Sequence, residues 1–384
     1  MINIGIIGAG AIASVHAASY KRFSSRAKVV AVCDVFKDKA EAFIAGKAPG
    51  AIAFDNVEKM LADQNIDAVS ICLPPNAHCS VALQAFKMGK HVLVEKPMAS
   101  SLEECDSMIE AARKSGKLLS VVSQNRFKTP IARIKQMIDG GNLGKVVYAN
   151  FDSLWWRGQV YYDLWWRGTW EQESGGCFMS HAVHYLDLMH MLLGMPKRVQ
   201  ATISNVGHNN SECEDVGSAV FDYGDKLVQF NCSLVSHGER QSIRIEGEKG
   251  SIAVPWELSA SCSLPNGFPK EDTVEKAKLE LVYNAIPELL LEGHDAQISN
   301  FLGAIEGVEP LSIDGGEGRK TLELVMGIYK SAVSGRTIDM PINADDVFYR
   351  KATMVAVMPK FNTKIKSVEN FSTSEITLGR NLGN

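Results

Sequence analysis

Apolar and polar positions follow two different periods along this chain, and the change of period marks its organisation. Residues 2–8 (INIGIIG), 28–34 (KVVAVCD), 68–75 (AVSICLPP), 91–97 (HVLVEKP) and 118–126 (LLSVVSQNR) open as near-continuous apolar runs. Between them lie stretches of helical period, among them NVEKMLADQ (56–64), AHCSVALQAFKMGK (77–90) and SLEECDSMIEAARKSGK (101–117). Apolar strands alternating with helices predict an α/β fold, a doubly wound parallel sheet covered on both faces. Gly89 and Gly116 stand where the ends of two of these helices call for a left-handed residue.

Beyond about residue 124 the period shortens. After a helical stretch at 129–141, the runs 145–154, 198–206, 216–235 and 240–254 alternate residue by residue and are joined by short glycine-bearing turns. They predict an antiparallel meander in a second domain of α+β type. Helical period returns at 295–307 and 318–335. The expected divisions are a first domain over 1–123, a second over 124–349, and an extension over 350–384 whose mixed pattern predicts no element.

Composition narrows the partners. At 384 residues the chain calls for two cores. Its net charge of −4, without a basic block, argues against nucleic acid and anionic membrane. Eight cysteines without a CxxC pair read as reduced thiols, and no signal peptide or membrane span is expected; the expected location is the cytoplasm.

Two places carry chemistry. In GIIGAGAIA (5–13), Gly8, Gly10 and Ala13 form G-x-G-x-x-A directly after the first strand and at the start of a helix. The first glycine allows the tight turn, and the second lets backbone approach a pyrophosphate at the helix N-terminus. Asp34 ends the second strand, where an acid holds the ribose hydroxyls. Its charge would repel a 2′-phosphate, so the expected cofactor is NAD and not NADP. The other place pairs VEKP, with Glu95 and Lys96 at the carboxyl end of the fourth apolar run, with GGCFMSHAVHYLDL (175–188), which carries Ser180, His181, His184 and Asp187 at helical spacing. A lysine favours a developing alkoxide, and a histidine accepts a hydroxyl proton near neutrality. A metal reading of Cys177, His181 and His184 lacks a completing ligand pair, so no metal is expected.

Together GIIGAGAIA, PPNAHCSVALQAFKMGKHVLVEKP (74–97), WRGTW (166–170) with SGGCFMSHAVHYLDL (174–188), and GHDAQISNFLGAIEG (293–307) resemble the Gfo/Idh/MocA oxidoreductases over about residues 1–345. The resemblance implies an N-terminal Rossmann domain that binds NAD. It also implies a C-terminal domain with a large open-faced antiparallel sheet, commonly used to form homo-oligomers, and hydride transfer at a hydroxyl of a sugar, cyclitol or related carbohydrate. Lys96, His184 and Ser180 fall on the family's catalytic positions. Ser180 departs from the usual carboxylate or amide, and His181 from a frequent glutamine, so part of that role is expected of His181. The implied cofactor contacts are Gly8, Gly10, Ala11, Ile12, Asp34, Leu73, Pro74, Asn76, His78, Glu95 and Lys96, with Trp166 and Arg167 on the nicotinamide side. Asn125, Arg157, Tyr162, Trp165 and His181 are the expected substrate contacts. The branch that most resembles this chain acts on the 3-position of nucleotide sugars, and related branches do so on simple sugars and glycosides. The alternatives are a glycosidase using NAD transiently and an inositol-type dehydrogenase.

One segment, WWRGQVYYDLWWRGTW (155–170), holds five of the six tryptophans. Indoles can cover the C–H faces of a pyranose while Arg157, Tyr161 and Tyr162 meet its hydroxyls. The segment is therefore expected to border the substrate cleft, with part of it serving packing alone.

Overall fold

The computed structural model describes residues 1–369 and 371. Strands β1 (Ile2–Ile7), β2 (Ala27–Cys33), β3 (Ile52–Phe54), β4 (Ala68–Ile71), β5 (His91–Val94) and β6 (Leu119–Val121) form one sheet in the order β3-β2-β1-β4-β5-β6. All its pairs are parallel. Helices α1 (Ala11–Arg22), α2 (Lys37–Lys47), α3 (Val57–Leu61), α4 (Pro75–Lys87) and α5 (Leu102–Ser115) make the crossovers. The strand order reverses between β1 and β4, so a crevice opens at their carboxyl ends, where such sheets bind ligands. β3 was not expected from the pattern; it is three residues long, and Ile52 at its start is exposed.

After α6 (Thr129–Asp139) the chain builds an eight-stranded sheet from β7 (Val146–Trp156), β8 (Arg198–Ser204), β9 (Val216–Asp222), β10 (Leu227–Ser233), β11 (Val235–Gly247), β12 (Ser251–Val254) and β13 (Glu257–Ser259), with a late edge strand. A small ribbon, β14 (Ser261–Ser263) with β15 (Pro269–Glu271), leads to α8 (Thr273–Ala285). The expected meander is modified at one seam. β10 runs parallel to β7 while β11 runs antiparallel on β7's other side, so consecutive strands β10 and β11 flank β7. Alternation of side chains reports which face is buried, not which strand is the neighbour.

One face of this sheet is buried by α7 (Val183–Leu193) and by α10 (Gly315–Ser334), around Phe151, Phe221, Phe230, Tyr185 and Tyr329. The opposite face leaves Tyr148, Val220 and Leu227 exposed. Helix α9 (Gly293–Glu306) returns to the first sheet, where Ile298, Phe301 and Leu302 pack with Ile4, Ile6, Ala13 and Ala17. The last elements are β16 (Ile338–Asp339), which pairs with β8, and α11 (Lys351–Val357).

The extension, for which no element was expected, forms α11 and then an extended strap over residues 359–368. Trp170 Nε1 donates to the Pro359 carbonyl at 2.8 Å, and Phe361 N–H to Glu212 O at 3.0 Å. Val368 N–H donates to Asp163 O at 2.7 Å, and Trp165 N–H donates to Val368 O at 2.9 Å. Lys364 reaches the Tyr162 carbonyl and Lys366 pairs with Asp163. Because these bonds go largely to main chain, side-chain periodicity carries no trace of them.

Candidate active site

At the end of β1, Gly8 adopts φ +95°, and a Cβ there would lie 2.4 Å from the Cys72 carbonyl oxygen. Only glycine allows this approach of β1 to β4. A Cβ on Gly10 would meet nothing within 4 Å, and among the described residues no side chain caps the start of α1. The amides of Ala11 and Ile12 therefore open onto free space at the positive end of a helix. Asp34 is buried at the end of β2, its Oδ2 accepting from Ala9 N–H at 2.9 Å and Oδ1 from Phe36 N–H at 3.1 Å. These bonds aim the carboxylate at the glycine turn. Lys39 Nζ lies 4.0 Å from Asp34 Oδ2, a cation the reading of the sequence did not count. Open amides, a close glycine and an oriented acid fit the pyrophosphate and ribose of NAD.

Leu73 and Pro74 follow β4, and Asn76, in the first turn of α4, donates to Gln172 Oε1 at 2.6 Å, tying this wall to the tryptophan segment. His78 has both ring nitrogens against main-chain carbonyls, Pro97 O at 2.9 Å and Leu73 O at 2.8 Å. No ring nitrogen remains for a nucleotide, so His78 braces the wall from behind and does not line it.

Lys96 stands two residues past the end of β5, and its Nζ donates to the Ser180 carbonyl at 3.2 Å, joining the first sheet to the turn that opens α7. Burial pulls the ammonium below its usual range, with Arg167 adding to the effect and Glu95 and Glu173 opposing it. That turn, Phe178–Ala182, is a single π turn. Such turns rotate side chains out of α register, commonly at functional sites. Gly176 precedes it because a Cβ there would lie 1.8 Å from Glu214 O. The buried Glu214 carboxyl accepts from Gly176 N–H at 3.0 Å, Phe178 N–H at 3.1 Å and Tyr329 Oη–H at 2.8 Å, clamping the turn to α10.

His184, half-buried in the first turn of α7, lines a small cavity with Lys96, Ser123 and Thr321. Burial, with the nearby Lys96 charge, lowers its pKa to about 3, so the imidazole is neutral at ordinary pH. Asp187 accepts from the Thr321 hydroxyl at 3.1 Å and pairs with Arg126 at 2.8 Å. Asn125 is buried in the turn after β6.

Beneath Glu95 lies a group the sequence did not suggest. His16 Nε2 stands 2.9 Å from Glu95 Oε1, and His294 of α9 completes a trio whose donor atoms all lie within 4.8 Å of one another. Burial raises the Glu95 carboxyl, but the His16 bond and the surrounding positive groups bring it down to about 2, so it is an anion beside Lys96. Among the described residues this is the compact group of metal-ligand type; Cys177, His181 and His184 form none.

The tryptophan segment divides its rings. Trp170 is fully buried edge-on to Tyr329, Trp156 is exposed and stacks on His237, and Trp165 is 44% exposed. Trp155 and Tyr161 flank His181, with ring centroids at 5.6 and 5.8 Å. Arg157 lies over both, 5.4 Å from the Trp155 centroid and 5.7 Å from that of Tyr161, and pairs with Glu239 at 2.7 Å. Arg167 lies 4.1 Å from the centroids of both Trp166 and Tyr161 and pairs with the buried Glu173 at 2.9 Å. Of the two adjacent tyrosines the site takes Tyr161. Tyr162, expected at the substrate, is 1% exposed and packs edge-on to His208 instead, while Trp165 is exposed and, among the described residues, has no ring contact with this cluster. Glu173, Glu239 and Glu214 went unpredicted, since each meets its partner only through folding.

The comparisons with known proteins agree with this fold. Residues 2–123 match the family model of the oxidoreductase family with an NAD-binding Rossmann fold, and residues 131–253 that of the GFO/IDH/MocA C-terminal domain. The chain is 26% identical over 350 residues to D-glucoside 3-dehydrogenase of Escherichia coli, covering 88% of this chain and 97% of that protein. It is 24% identical over 347 residues to myo-inositol 2-dehydrogenase of Thermotoga maritima, covering 88% and 98%. Among solved structures it resembles the WlbA dehydrogenase of Bordetella pertussis in complex with NADH and UDP-GlcNAcA, at 30% identity and a TM-score of 0.77, covering 89% and 99%. The chain belongs to the GFO/IDH/MocA family of NAD-dependent oxidoreductases.

Proposed function

We propose that the protein oxidises a ring hydroxyl, at the 3-position, of a sugar, glycoside or nucleotide sugar. The observation that carries this reading is the meeting of Lys96 with the Ser180 turn beside the Trp155–Tyr161–Arg157 cluster. NAD, held by the glycine turn and Asp34, supplies the hydride acceptor. The Lys96 ammonium stabilises negative charge on the substrate oxygen, and His184 takes the hydroxyl proton. As the ring carbon gives up its hydride, the hydroxyl becomes far more acidic, so its proton passes to the weakly basic imidazole in the same step and a neutral carbonyl remains. The aromatic faces of Trp155 and Tyr161 cover the sugar ring, and Arg157 offers donors to its edge. Trp166 and Arg167 stand on the nicotinamide side and help keep the cofactor bound between turnovers.

The exposed face bearing Tyr148, Val220 and Leu227 is the surface proposed for self-association, and the proposed setting is the cytoplasm. Incubation with a panel of glucosides and nucleotide sugars, followed by NMR location of the new carbonyl, tests the reaction. A carbonyl at another ring position would overturn the regiochemistry, and no oxidised product from any carbohydrate would overturn the reading itself.

A further inference from the structure

Ser180 is bonded on three sides, and the pattern fixes more than its own position. Its hydroxyl lies 2.7 Å from the Gly176 carbonyl and 2.9 Å from His181 Nδ1, while its own carbonyl accepts from Lys96 Nζ at 3.2 Å. A carbonyl oxygen only accepts, so the single hydroxyl proton belongs to the Gly176 bond. Toward His181 the hydroxyl can then only accept, which requires the proton of the neutral ring to sit on Nδ1. Nε2 is left as an unprotonated acceptor, and among the described residues no protein group bonds to it.

The surroundings make that acceptor exceptional. Lys96, Arg157 and Arg167 are donors only. Trp155 Nε1 is spent on Ser153 Oγ at 3.0 Å. Burial, followed by the charges of Arg157, Lys96 and Arg167, holds His181 well below its ordinary range, so a second proton on the ring is disfavoured. One residue thus sets both partners: the Ser180 carbonyl holds the ammonium, and the Ser180 hydroxyl sets the hydrogen-bonding sense of the imidazole next to it.

We propose that His181 is a specificity-determining residue whose Nε2 accepts a hydrogen bond from a second substrate hydroxyl, adjacent to the one oxidised, so that the site reads a vicinal diol. Ser180 is the positioning residue that keeps Nε2 an acceptor. The inference rests on the carbohydrate reading above and deepens it: the flanking rings of Trp155 and Tyr161 cover the sugar face, and His181 selects its edge. Losing the polar partner of such a bond leaves a buried acceptor unmatched, so the analogue lacking that hydroxyl is rejected.

The test compares the oxidised sugar with its monodeoxy analogues, one ring position at a time. The wild-type enzyme should favour the parent over one neighbouring deoxy analogue by about tenfold or more in kcat/KM, the effect of one unmatched buried bond. In His181→Phe that ratio should collapse toward one through a loss on the parent; Ser180→Ala should reduce it and Ser180→Thr restore it. Retention of the full ratio in His181→Phe would overturn the proposal. A second readout needs no turnover: 15N NMR of the NADH-bound protein should show His181 protonated on Nδ1, and a ring protonated on Nε2 would overturn it. If no carbohydrate is oxidised, the parent reading fails and the 15N result alone decides the acceptor state of His181.

Discussion

Lys96 and Ser180 stand 84 residues apart in sequence, yet the lysine's Nζ donates to the serine's carbonyl oxygen at 3.2 Å. This bond joins the carboxyl end of the parallel sheet to the turn ahead of α7. The lysine proposed to steady the substrate oxygen and the helix that carries the proposed proton acceptor are therefore tied by one contact.

Lys96→Met and His184→Ala should each lower kcat by about two orders of magnitude or more, the scale of lost electrostatic or acid–base help. NADH affinity, read by fluorescence titration, should survive in His184→Ala, since that residue comes from the second sheet's helix. With His184 at about 3, kcat/KM should stay level from neutrality to well below pH 6. An acid limb near the ordinary histidine value would contradict a neutral, half-buried His184.

Asp34 presents a carboxylate where the adenosine ribose would lie, so NADH should bind more tightly than NADPH. Asp34→Asn keeps an acceptor for the Ala9 amide and discards the charge, leaving Lys39 close by. The preference should narrow by about tenfold, the scale of one lost charge interaction. Unchanged selectivity in paired titrations would place discrimination elsewhere.

Glu214 gives stability a pH dependence. Burial raises its carboxyl to about 7, against the amide of Phe178 and the hydroxyl of Tyr329. The folded chain holds this proton more tightly than the unfolded one, so the group's contribution is fully present below about 4.5 and is lost as pH rises through 7. Glu214→Gln removes the ionisation. By calorimetry its Tm should fall less than the wild-type Tm between pH 5 and pH 8, and parallel curves would count against the assignment.

The strap predicts a split in kinetic effects. Val368→Pro removes the N–H that donates to Asp163 O. Loosening residues 162–165 should raise KM for the sugar by about tenfold, the scale of a lost bond plus ordering. The glycine turn and Asp34 lie outside the strap's contacts, so NADH affinity should change little. A truncation after residue 358 should act in the same direction and more strongly. An unchanged KM in both variants would show that the strap does not support the cleft.

How much of this was legible beforehand follows from the physics of each element. The parallel sheet was readable because strands buried on both faces must be apolar throughout, and the nucleotide turn because only glycine fits Gly8. Lys96, His181 and His184 could be put forward as candidates because each stands in a recognisable motif, but the partners that surround them come from distant parts of the chain. The adjacent tyrosines could not be told apart, because a turn over Gln159–Asp163, and not a strand, decides which ring faces inward. The His16–Glu95–His294 trio was invisible because its members come from α1, the end of β5 and α9. Main-chain pairing in the strap leaves no pattern to read.

Helix α9 and the strap also set an order of assembly. Proteins emerge from the ribosome N-terminus first. The first sheet has all its strands once residue 121 is made, yet the face over Ile4 and Ile6, on which Ala13, Ala17 and Tyr20 already pack, is only partly covered until Phe301 and Leu302 arrive. The loop bearing Tyr161 waits longer still, for a segment translated some two hundred residues after it. During synthesis, therefore, the nascent chain exposes apolar surface on its earliest part, and a chaperone that screens emerging polypeptide would meet that surface first. A message cut short before the strap would yield a protein with both sheets built and an unfinished binding wall.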